Sequence, residues 1–276
     1  MAAREISVIV PTFGRAEAVV RAVDSVLAQD ADLEVVVVDD ASPAPIVIDR
    51  ERTRVLRLDR NAGAAGARNA GVAAATSEWI ALLDSDDVWE PRSLAPRLAQ
   101  ARAKKDVSHT IWCAAFISVW PGRQSPVRIP RASDDIADFA SGCWTCPGST
   151  ALMNRVAWDR SGGQDEALRR LEDYDWLLRW SQSGGQIEVH EGAAARVTRG
   201  ARGAPTETLA AAEHIRRKQA ALAAPLKKRM ESYLSLELAV AHLGAGDMAQ
   251  GVAELMRSWM LHPRLQPSLE PFWRTE

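Results

Sequence analysis

The sequence contains little cysteine. Only Cys113, Cys143 and Cys146 occur among its 276 residues. A low and odd count does not build a disulfide framework, and it favours a protein of the reducing cytoplasm. The segment Cys143-Trp-Thr-Cys146 has the spacing of a redox pair, but the chain has no second cysteine pair for a zinc site and no thioredoxin-like βαβ pattern around it. We therefore expect these thiols to behave as small apolar side chains.

The chain also lacks an excess of charge of either sign and lacks long apolar runs. Lys and Arg total 34 against 36 Asp and Glu, a formal net charge of −2. Sequence-independent nucleic-acid binding needs a strong basic excess, so nucleic acid is not an expected partner. No run approaches the roughly 20 apolar residues that span a bilayer, and the start Met-Ala-Ala-Arg-Glu carries no apolar stretch of a signal peptide. These features predict a cytoplasmic protein whose contact with a membrane is limited to the inner surface.

Strand and helix patterns alternate through the N-terminal part of the chain. Continuous β-branched runs predict strands, and apolar or small residues at helical spacing predict helices. Such alternation predicts an α/β fold, in which a mostly parallel sheet is flanked by helices. The predicted strands cover residues 6–11, 33–39, 55–58 and 78–83, and the predicted helices cover residues 16–29, 63–75 and 91–104.

The C-terminal part of the chain has a different pattern. From residue 206 strand patterns disappear and alanine is frequent, so we divide the chain into a domain of residues 1–205 and a helical appendage of residues 206–276. The appendage carries a basic stretch, His214-Ile-Arg-Arg-Lys218 and Lys227-Lys-Arg229, which is interpreted as a solvated face that also suits anionic lipid. The remaining predictions are strands at residues 108–120 and 186–189, a loop at 121–133, and helices at 173–183, 206–223, 226–243 and 248–261.

One predicted strand ends in three carboxylates, Asp84, Asp86 and Asp87. Carboxylates this close repel one another unless a cation lies among them. At the carboxyl end of a parallel strand, the pattern predicts a divalent cation that holds a phosphorylated ligand.

Polar residues also follow the other predicted strands. Pro11-Thr-Phe13 follows the first strand, Asp39-Asp40 follows the second, and residues 61–69 enter a helix. An aspartate at a strand end often only caps a turn. Because ligands bind at the carboxyl edge of open α/β sheets, four such features on one edge favour a ligand site.

Six motifs follow one another over roughly the first two hundred residues. They are Val8-Ile-Val-Pro-Thr-Phe-Gly-Arg15, Val35-Val-Val-Val-Asp39-Asp40-Ala-Ser42, Asn61-Ala-Gly-Ala-Ala-Gly-Ala-Arg68-Asn69-Ala-Gly71, Leu83-Asp84-Ser85-Asp86-Asp87-Val-Trp89-Glu-Pro91, Pro147-Gly-Ser-Thr-Ala-Leu152 and Leu171-Glu172-Asp173-Tyr-Asp175-Trp-Leu-Leu-Arg179. Each motif is weak by itself, whereas six in this order are specific, and they resemble those of the family 2 glycosyltransferases, which have the GT-A fold. The resemblance implies an inverting transfer of a sugar from a nucleotide-sugar, most commonly a UDP-sugar, to a hydroxyl of a saccharide or lipid-linked saccharide.

The resemblance assigns a first group of residues to the nucleotide-sugar. Asp40 is expected to accept a hydrogen bond from the base N–H, and Arg68, at a helix start, is expected to face the diphosphate. Asp86 is the expected direct ligand of Mg²⁺ or Mn²⁺, with Asp84 beside the ribose or the metal; hard carboxylate oxygens without His or Cys select these ions over Zn²⁺. Asp87 is expected to shape the turn. The nucleotide-sugar-binding set is Pro11, Thr12, Phe13, Arg15, Asp40, Asn61, Arg68, Asp84 and Ser85.

The resemblance assigns a second group to the acceptor. A hydroxyl is a poor nucleophile until a carboxylate takes its proton, and Asp173, at the start of a predicted helix, is the expected base. An acid in a first helical turn is also favoured by the helix dipole, an interpretation that suits Glu172 and Asp175 better. A single base opposite the leaving group implies inversion. The expected acceptor-side residues are Gly148, Ser149, Trp144 and Glu172.

Two other functions remain open at this point. A nucleotidyltransferase usually carries a glycine-rich basic loop after its first strand, whereas this chain has Pro11-Thr-Phe-Gly-Arg15. A non-catalytic nucleotide-sugar-binding scaffold has no need of Asp86 and Asp173. Family members often carry a histidine near the position of Arg199, and His190 is interpreted as structural.

Overall fold

Four parallel strands form one half of the sheet. The computed structural model describes residues 4–200, 203–263 and 272–275. Strand β1 (Ile6–Thr12) lies between β2 (Leu33–Asp39) and β4 (Trp79–Leu82), and β3 (Thr53–Arg57) follows β2. Every residue of β1 is buried, because the sheet is covered on both faces. The predicted α/β architecture is confirmed.

Helices cover the two faces of these strands. Side chains alternate between the faces of a strand, so Ile9 packs in the apolar cluster that includes helix α2 (Gly63–Ala74). Val8 packs in the opposite cluster with helices α1 (Ala16–Leu27) and α3 (Leu94–Arg102). All three helices begin and end within a few residues of their predicted bounds.

The other half of the sheet is mixed. Strand β9 (Leu152–Asn154) is antiparallel to both β4 and β6 (Thr110–Trp120). Strand β10 (Gln186–Thr198) pairs in parallel with β6 and antiparallel with the short β5 (Val88–Trp89). The sequence predicts β10 only as far as residue 189; pairing with β6 extends it and brings its C-terminal end beside the acidic residues that follow β4.

Several short elements are not evident in the sequence pattern. The predicted loop at residues 121–133 contains β7 (Arg123–Gln124) and β8 (Arg128–Pro130), and β11 (Trp273–Thr275) pairs with β8 in a region predicted to lack strands. These strands are fixed by partners distant in sequence, which a local pattern does not show. Three short helices are also unpredicted: α4 (Ile136–Ser141), α5 (Pro147–Thr150) and α6 (Arg155–Ser161).

The predicted helical appendage contains α8 (Pro205–Lys218), α9 (Ala224–Gly244) and α10 (Met248–Leu261). Its apolar residues join the core of the preceding sheet, since the ring of Tyr233 on α9 lies 4.6 Å, centroid to centroid, from that of Tyr174 on the helix before β10. The division at residue 205 stays a prediction.

Part of the basic stretch of this region forms ion pairs within the protein. Lys218 Nζ lies 2.7 Å from an oxygen of Asp165 and 2.8 Å from one of Asp175, and Arg216 Nε lies 3.0 Å from Glu231. Arg217 and Lys228 are exposed, so the solvated face and the lipid contact stay predictions. Across the described ranges, the structure contains no helix with the length and apolarity to cross a membrane.

Candidate active site

A cleft of about 510 Å³ opens at the carboxyl ends of β1, β2 and β4. This volume lies within the range of small-ligand sites. Most residues predicted for the nucleotide-sugar line it, together with one predicted for the acceptor. The predicted residues found in the lining are Pro11, Thr12, Phe13, Arg15, Asp40, Arg68, Asp84, Ser85, Asp86 and Glu172.

Asp39 organises the loops at this edge. Its buried carboxylate accepts hydrogen bonds from the N–H groups of Ser42 (2.9 Å) and Ile46 (3.2 Å) and pairs with Arg57. The Ser42 hydroxyl accepts a bond from the N–H of Gly14 (2.8 Å), whose φ of +67° suits glycine. These contacts join the loops after β1 and β2, and thereby fix the N-terminal rim of the cleft.

Asp40 caps helix α2. Its two carboxylate oxygens accept hydrogen bonds from the N–H groups of Ala62 (2.6 Å) and Gly63 (2.8 Å). Each carboxylate oxygen has a further lone pair, so the predicted bond to a nucleotide base stays a prediction. The nearby Asn61 lies outside the cleft lining, because its Oδ1 accepts a bond from Arg169 at 2.7 Å.

At the cleft, the Thr12 hydroxyl is left without a hydrogen-bond partner and the Phe13 ring is left partly uncovered by the described residues. The Thr12 hydroxyl is buried and has no hydrogen-bond partner among the described residues. Phe13 keeps 50% of its surface exposed at the cleft. A buried polar atom without a partner is costly, so its position in a cleft lining indicates a ligand that supplies the partner.

Arg68 connects opposite sides of the cleft. Its guanidinium, only 3% exposed, lies 2.7 Å from Asp84 Oδ1, 2.9 Å from Gln164 Oε1, 3.3 Å from Glu172 Oε1 and 3.4 Å from Asp173 Oδ1. The expectation that Arg68 stands at a helix start is wrong, because it lies in the second turn of α2. Arg68 lines the cleft, and its buried Nε has no hydrogen-bond partner among the described residues, so contact with a diphosphate stays a prediction.

The acidic tip after β4 divides into two exposed carboxylates and one buried carboxylate. Asp84 and Asp86 keep 36% and 33% of their side chains exposed, and Asp86 pairs with Arg15 at 2.5 Å. Asp87 is buried; it accepts a bond from the Ser149 hydroxyl and one from the Thr198 N–H at 2.7 Å. Asp87 therefore ties the tip to the end of β10, in agreement with its predicted structural role.

The predicted acceptor-side residues of the segment before β9 lie elsewhere. Gly148 packs against the tip: a Cβ there would lie 2.5 Å from Asp84 Oδ2 and 2.8 Å from Arg68 NH2. Ser149 is buried and supports Asp87. Trp144 is fully buried, and its Nε1 donates to Arg131 O. None of these three residues lines the cleft, because the segment packs beneath the acidic tip and into the core. Their contact with the acceptor stays a prediction.

Asp173 lies in the first turn of helix α7 (Glu172–Gln182), beside Arg68. Among the described residues that line the cleft, Glu172 is present and Asp173 is not. Asp173 Oδ1 accepts a hydrogen bond from Gln164 Nε2 at 2.7 Å. Desolvation raises the pKa of Asp173 to about 7; Glu172 and Asp84 act in the same direction, and Arg68 and Gln164 oppose them. A carboxyl with such a pKa suits proton transfer near neutral pH.

The cleft belongs to a chain that matches a known protein family. The model of Glycosyl transferase family 2 matches residues 7–161, more than half of the chain. The chain belongs to glycosyl transferase family 2. Within this family, the succinoglycan biosynthesis protein ExoO of Rhizobium meliloti (strain 1021) is 45% identical over 105 residues, which cover 36% of this chain and 30% of that protein. The succinoglycan biosynthesis protein ExoU of the same organism is 31% identical over 218 residues, which cover 71% of this chain and 63% of that protein. The chain thus spans less than two thirds of each of these relatives.

The fold is also that of a solved structure. The crystal structure of Staphylococcus aureus TarS 1–349 in complex with UDP-GlcNAc aligns with a TM-score of 0.59 and 17% identity, over 93% of this chain and 91% of that chain. At this level of identity the likeness shows the fold alone. It confirms the GT-A fold expected of a family 2 member.

The acidic tip of this family 2 chain fits a hard divalent cation bound by few protein ligands. Asp84 and Asp86 are both exposed at the cleft and offer only carboxylate oxygens. The described residues contain no group of three His, Cys, Asp or Glu side chains suited to a metal. Mg²⁺ is commonly held by one or two carboxylates together with substrate phosphates, so this donor set suits a cation that binds with its nucleotide.

Three polar residues of the cleft lining are not predicted from the sequence as part of the site. Arg170 and Thr198 line the cleft, and so does Arg199, which the sequence singles out only as a departure from the family histidine. Arg199 donates to Ser118 Oγ at 3.1 Å and to Cys146 Sγ at 3.0 Å. Thr198 and Arg199 are missed because the sequence predicts that β10 ends at residue 189, and a strand of that length does not reach the cleft.

Proposed function

We propose that this chain is an inverting glycosyltransferase that moves a sugar from a nucleotide-sugar, a UDP-sugar, to a hydroxyl of a saccharide or lipid-linked saccharide. The observation that carries the proposal is the position of Arg68, which joins the acidic tip at Asp84 to the carboxylates of Glu172 and Asp173. Through Arg68, the proposed base Asp173, which lies beside the cleft lining, is linked to the proposed donor site at Asp84. Membership of family 2 and the polysaccharide names of the relatives support the same function.

In this proposal the donor binds along the N-terminal rim. Phe13 stacks on the nucleotide base, and the Thr12 hydroxyl gains the hydrogen-bond partner that it lacks. The cations at the cleft, Arg15, Arg170 and Arg199, neutralise the diphosphate. The donor of the TarS complex, UDP-GlcNAc, makes a UDP-sugar the first candidate.

Asp173 acts as the base. Its carboxylate takes the proton of the acceptor hydroxyl while the hydroxyl oxygen forms a bond to the anomeric carbon and the nucleoside diphosphate leaves with the electron pair of the broken bond. One displacement inverts the anomeric centre. Arg68 keeps the carboxylate in place, because it pairs with Asp173 from the neighbouring helix.

Mg²⁺ or Mn²⁺ would be held by Asp86 and Asp84. When bound, such an ion supplies charge neutralisation to the departing diphosphate. Arg15 covers Asp86 in the structure, and this partly exposed pair is weak enough to open for the ion.

A panel of nucleotide-sugars with Mn²⁺ tests the proposal. We expect one donor, with UDP-GlcNAc tried first, to release a nucleoside diphosphate slowly in the absence of acceptor and faster with saccharide acceptors. Release of pyrophosphate would instead indicate a nucleotidyltransferase. If no donor raises the thermal unfolding midpoint and none is cleaved, the chain is a non-catalytic relative, because a ligand that binds only the native state must raise that midpoint.

A further inference from the structure

Gln164 is held rigidly next to the proposed base. Helix α6 is followed by Gly162 and Gly163, whose φ values of +70° and +65° turn the chain back toward helix α2. There the Asn69 side chain binds both main-chain polar groups of Gln164. Its Oδ1 accepts a hydrogen bond from the Gln164 N–H at 3.0 Å, and its Nδ2 donates one to the Gln164 carbonyl at 2.8 Å. The main chain at this residue therefore has little freedom.

The side-chain amide of Gln164 is equally constrained. The residue is 3% exposed; its Oε1 accepts from Arg68 at 2.9 Å, and its Nε2 donates to Asp173 Oδ1 at 2.7 Å. A guanidinium can only donate, so the amide oxygen must face Arg68 and the amide N–H must face Asp173. In this orientation Gln164 favours the ionised carboxylate, which is the form that accepts a proton.

We propose that Gln164 is a positioning residue of the transfer reaction: its amide holds Asp173 Oδ1, which leaves Oδ2 as the oxygen that takes the proton of the acceptor hydroxyl. This inference rests on the proposed function. Arg68 shares the same oxygen at the longer distance of 3.4 Å, so the amide makes the shorter contact. Gln164 itself exchanges no proton with the acceptor.

Other charged or ionisable groups also face Asp173. Arg68 lies on α2, Glu172 on the same helix as Asp173, Asp84 on the acidic tip, and Cys143 and Cys146 on the segment before α5. Of these groups, only Arg68 favours the carboxylate form, and it is shared with Glu172 and Asp84. The neutral amide adds support without another titrating charge.

The test replaces Gln164 by Met, which has a similar size but no hydrogen-bonding amide. The pKa of Asp173 is measured directly, from the carboxyl ¹³C shift of ¹³C-aspartate-labelled protein without metal, assigned by its loss in Asp173→Asn. We expect the pKa to rise by about one unit in Gln164→Met. With the donor that the panel identifies, kcat at pH 6 should fall about fivefold further than at pH 8, while KM for the donor stays unchanged.

Two further variants separate positioning from general packing. Gln164→Glu keeps an acceptor for Arg68 but sets a carboxylate against Asp173, so the pKa of Asp173 should rise more than in Gln164→Met. Gln29→Met removes an equally buried amide, which bonds Ser25 and Glu90 carbonyls far from the cleft, and should leave the pKa unchanged.

An unchanged Asp173 pKa in both Gln164 variants overturns the inference, even if the wild type transfers sugar. A loss of kcat that is equal at all pH values also overturns it, because that result reports a structural role. Failure of the proposed function looks different: the wild type then cleaves no donor at any pH, and the inference is lost with it.

Discussion

The two sides of the cleft are built in different ways. The proposed donor half, formed by the loops after β1, β2 and β4, places each polar residue within a few positions of a strand end. The proposed base half is formed by the segment before β9, the loop before α7 and the first turn of α7, so its residues lie outside the strands. Both halves contain non-glycine residues at positive φ, which costs on the order of 1–3 kcal/mol each: Ala41 at +60° in the donor half, and Cys146 at +48° and Leu171 at +61° in the base half.

This difference shows where each half obtains its rigidity. In the donor half, strand pairing fixes the strand ends, and the side chains of Asp39 and Ser42 hold the loops that follow. In the base half, side chains fix the backbone, as when Arg179 donates to the carbonyls of Ser161 and Gly163 at 2.9 and 2.7 Å. Substitutions in the donor half should therefore alter donor binding, and substitutions in the base half should alter transfer. A substitution of a residue that contacts both halves should alter both.

The largest effect should come from removing the base alone. Asp173→Asn keeps the size of the side chain but cannot take a proton, so we expect transfer to fall about 10²- to 10⁴-fold. Binding of the nucleoside diphosphate, measured by calorimetry, should be unchanged, since the donor half is intact. Glu172→Gln is the matched control; if it abolishes transfer and Asp173→Asn does not, the base is Glu172, which lines the cleft.

Arg68→Met should destabilise both halves of the cleft, because it removes the cation that they share. Three carboxylates then lose their partner, and we expect a loss of about 3–5 kcal/mol in the free energy of unfolding. Urea denaturation measures this change. Arg97→Met is the control: Arg97 is also buried but donates to the Ser93 and Thr150 carbonyls, so its loss leaves no carboxylate bare and should cost less. Equal costs would contradict the role given to Arg68.

Gly148→Ala, a substitution in the base half, should weaken ion binding in the donor half. The added Cβ would meet Asp84 and Arg68 at distances shorter than van der Waals contact, and such overpacking typically costs about 1–3 kcal/mol. We expect weaker binding of Mn²⁺ with the nucleoside diphosphate, measured by calorimetry. Gly122→Ala, at an exposed turn with open space around it, should leave that affinity intact. Unchanged affinity in Gly148→Ala would show that Asp84 does not hold the ion.

The smallest effect is the dependence of rate on pH. Because desolvation raises the pKa of Asp173 to about 7, the fraction present as carboxylate falls as the pH drops below that value. We expect kcat/KM to fall to about a tenth of its plateau at pH 6. Donor affinity over the same range should change less. An acidic limb near pH 4 would mean that Asp173 is solvated like an ordinary aspartate and would contradict the raised pKa.

The same contrast explains how much could be predicted from the sequence. The positions of Asp40 and the Asp84–Asp87 tip at the cleft follow from the sequence, because strand periodicity and strand ends fix them. The burial of Trp144, Gly148 and Ser149 does not, since their environment depends on contacts with residues far away in sequence. Gln164 gave no signal at all: an isolated glutamine in a polar loop carries no pattern, and its importance lies in two bonds to residues 96 and 9 positions away.

The position of Arg68 has a consequence for how such enzymes diverge. A substitution at Asp84, on the proposed metal and nucleotide side, changes how strongly Arg68 pairs with Asp173. A substitution at Asp173 likewise changes how strongly Arg68 pairs with Asp84. Residues that share a partner show non-additive effects. Donor preference and catalytic power are therefore expected to evolve together in this chain, so that a change of donor needs a compensating substitution across the cleft.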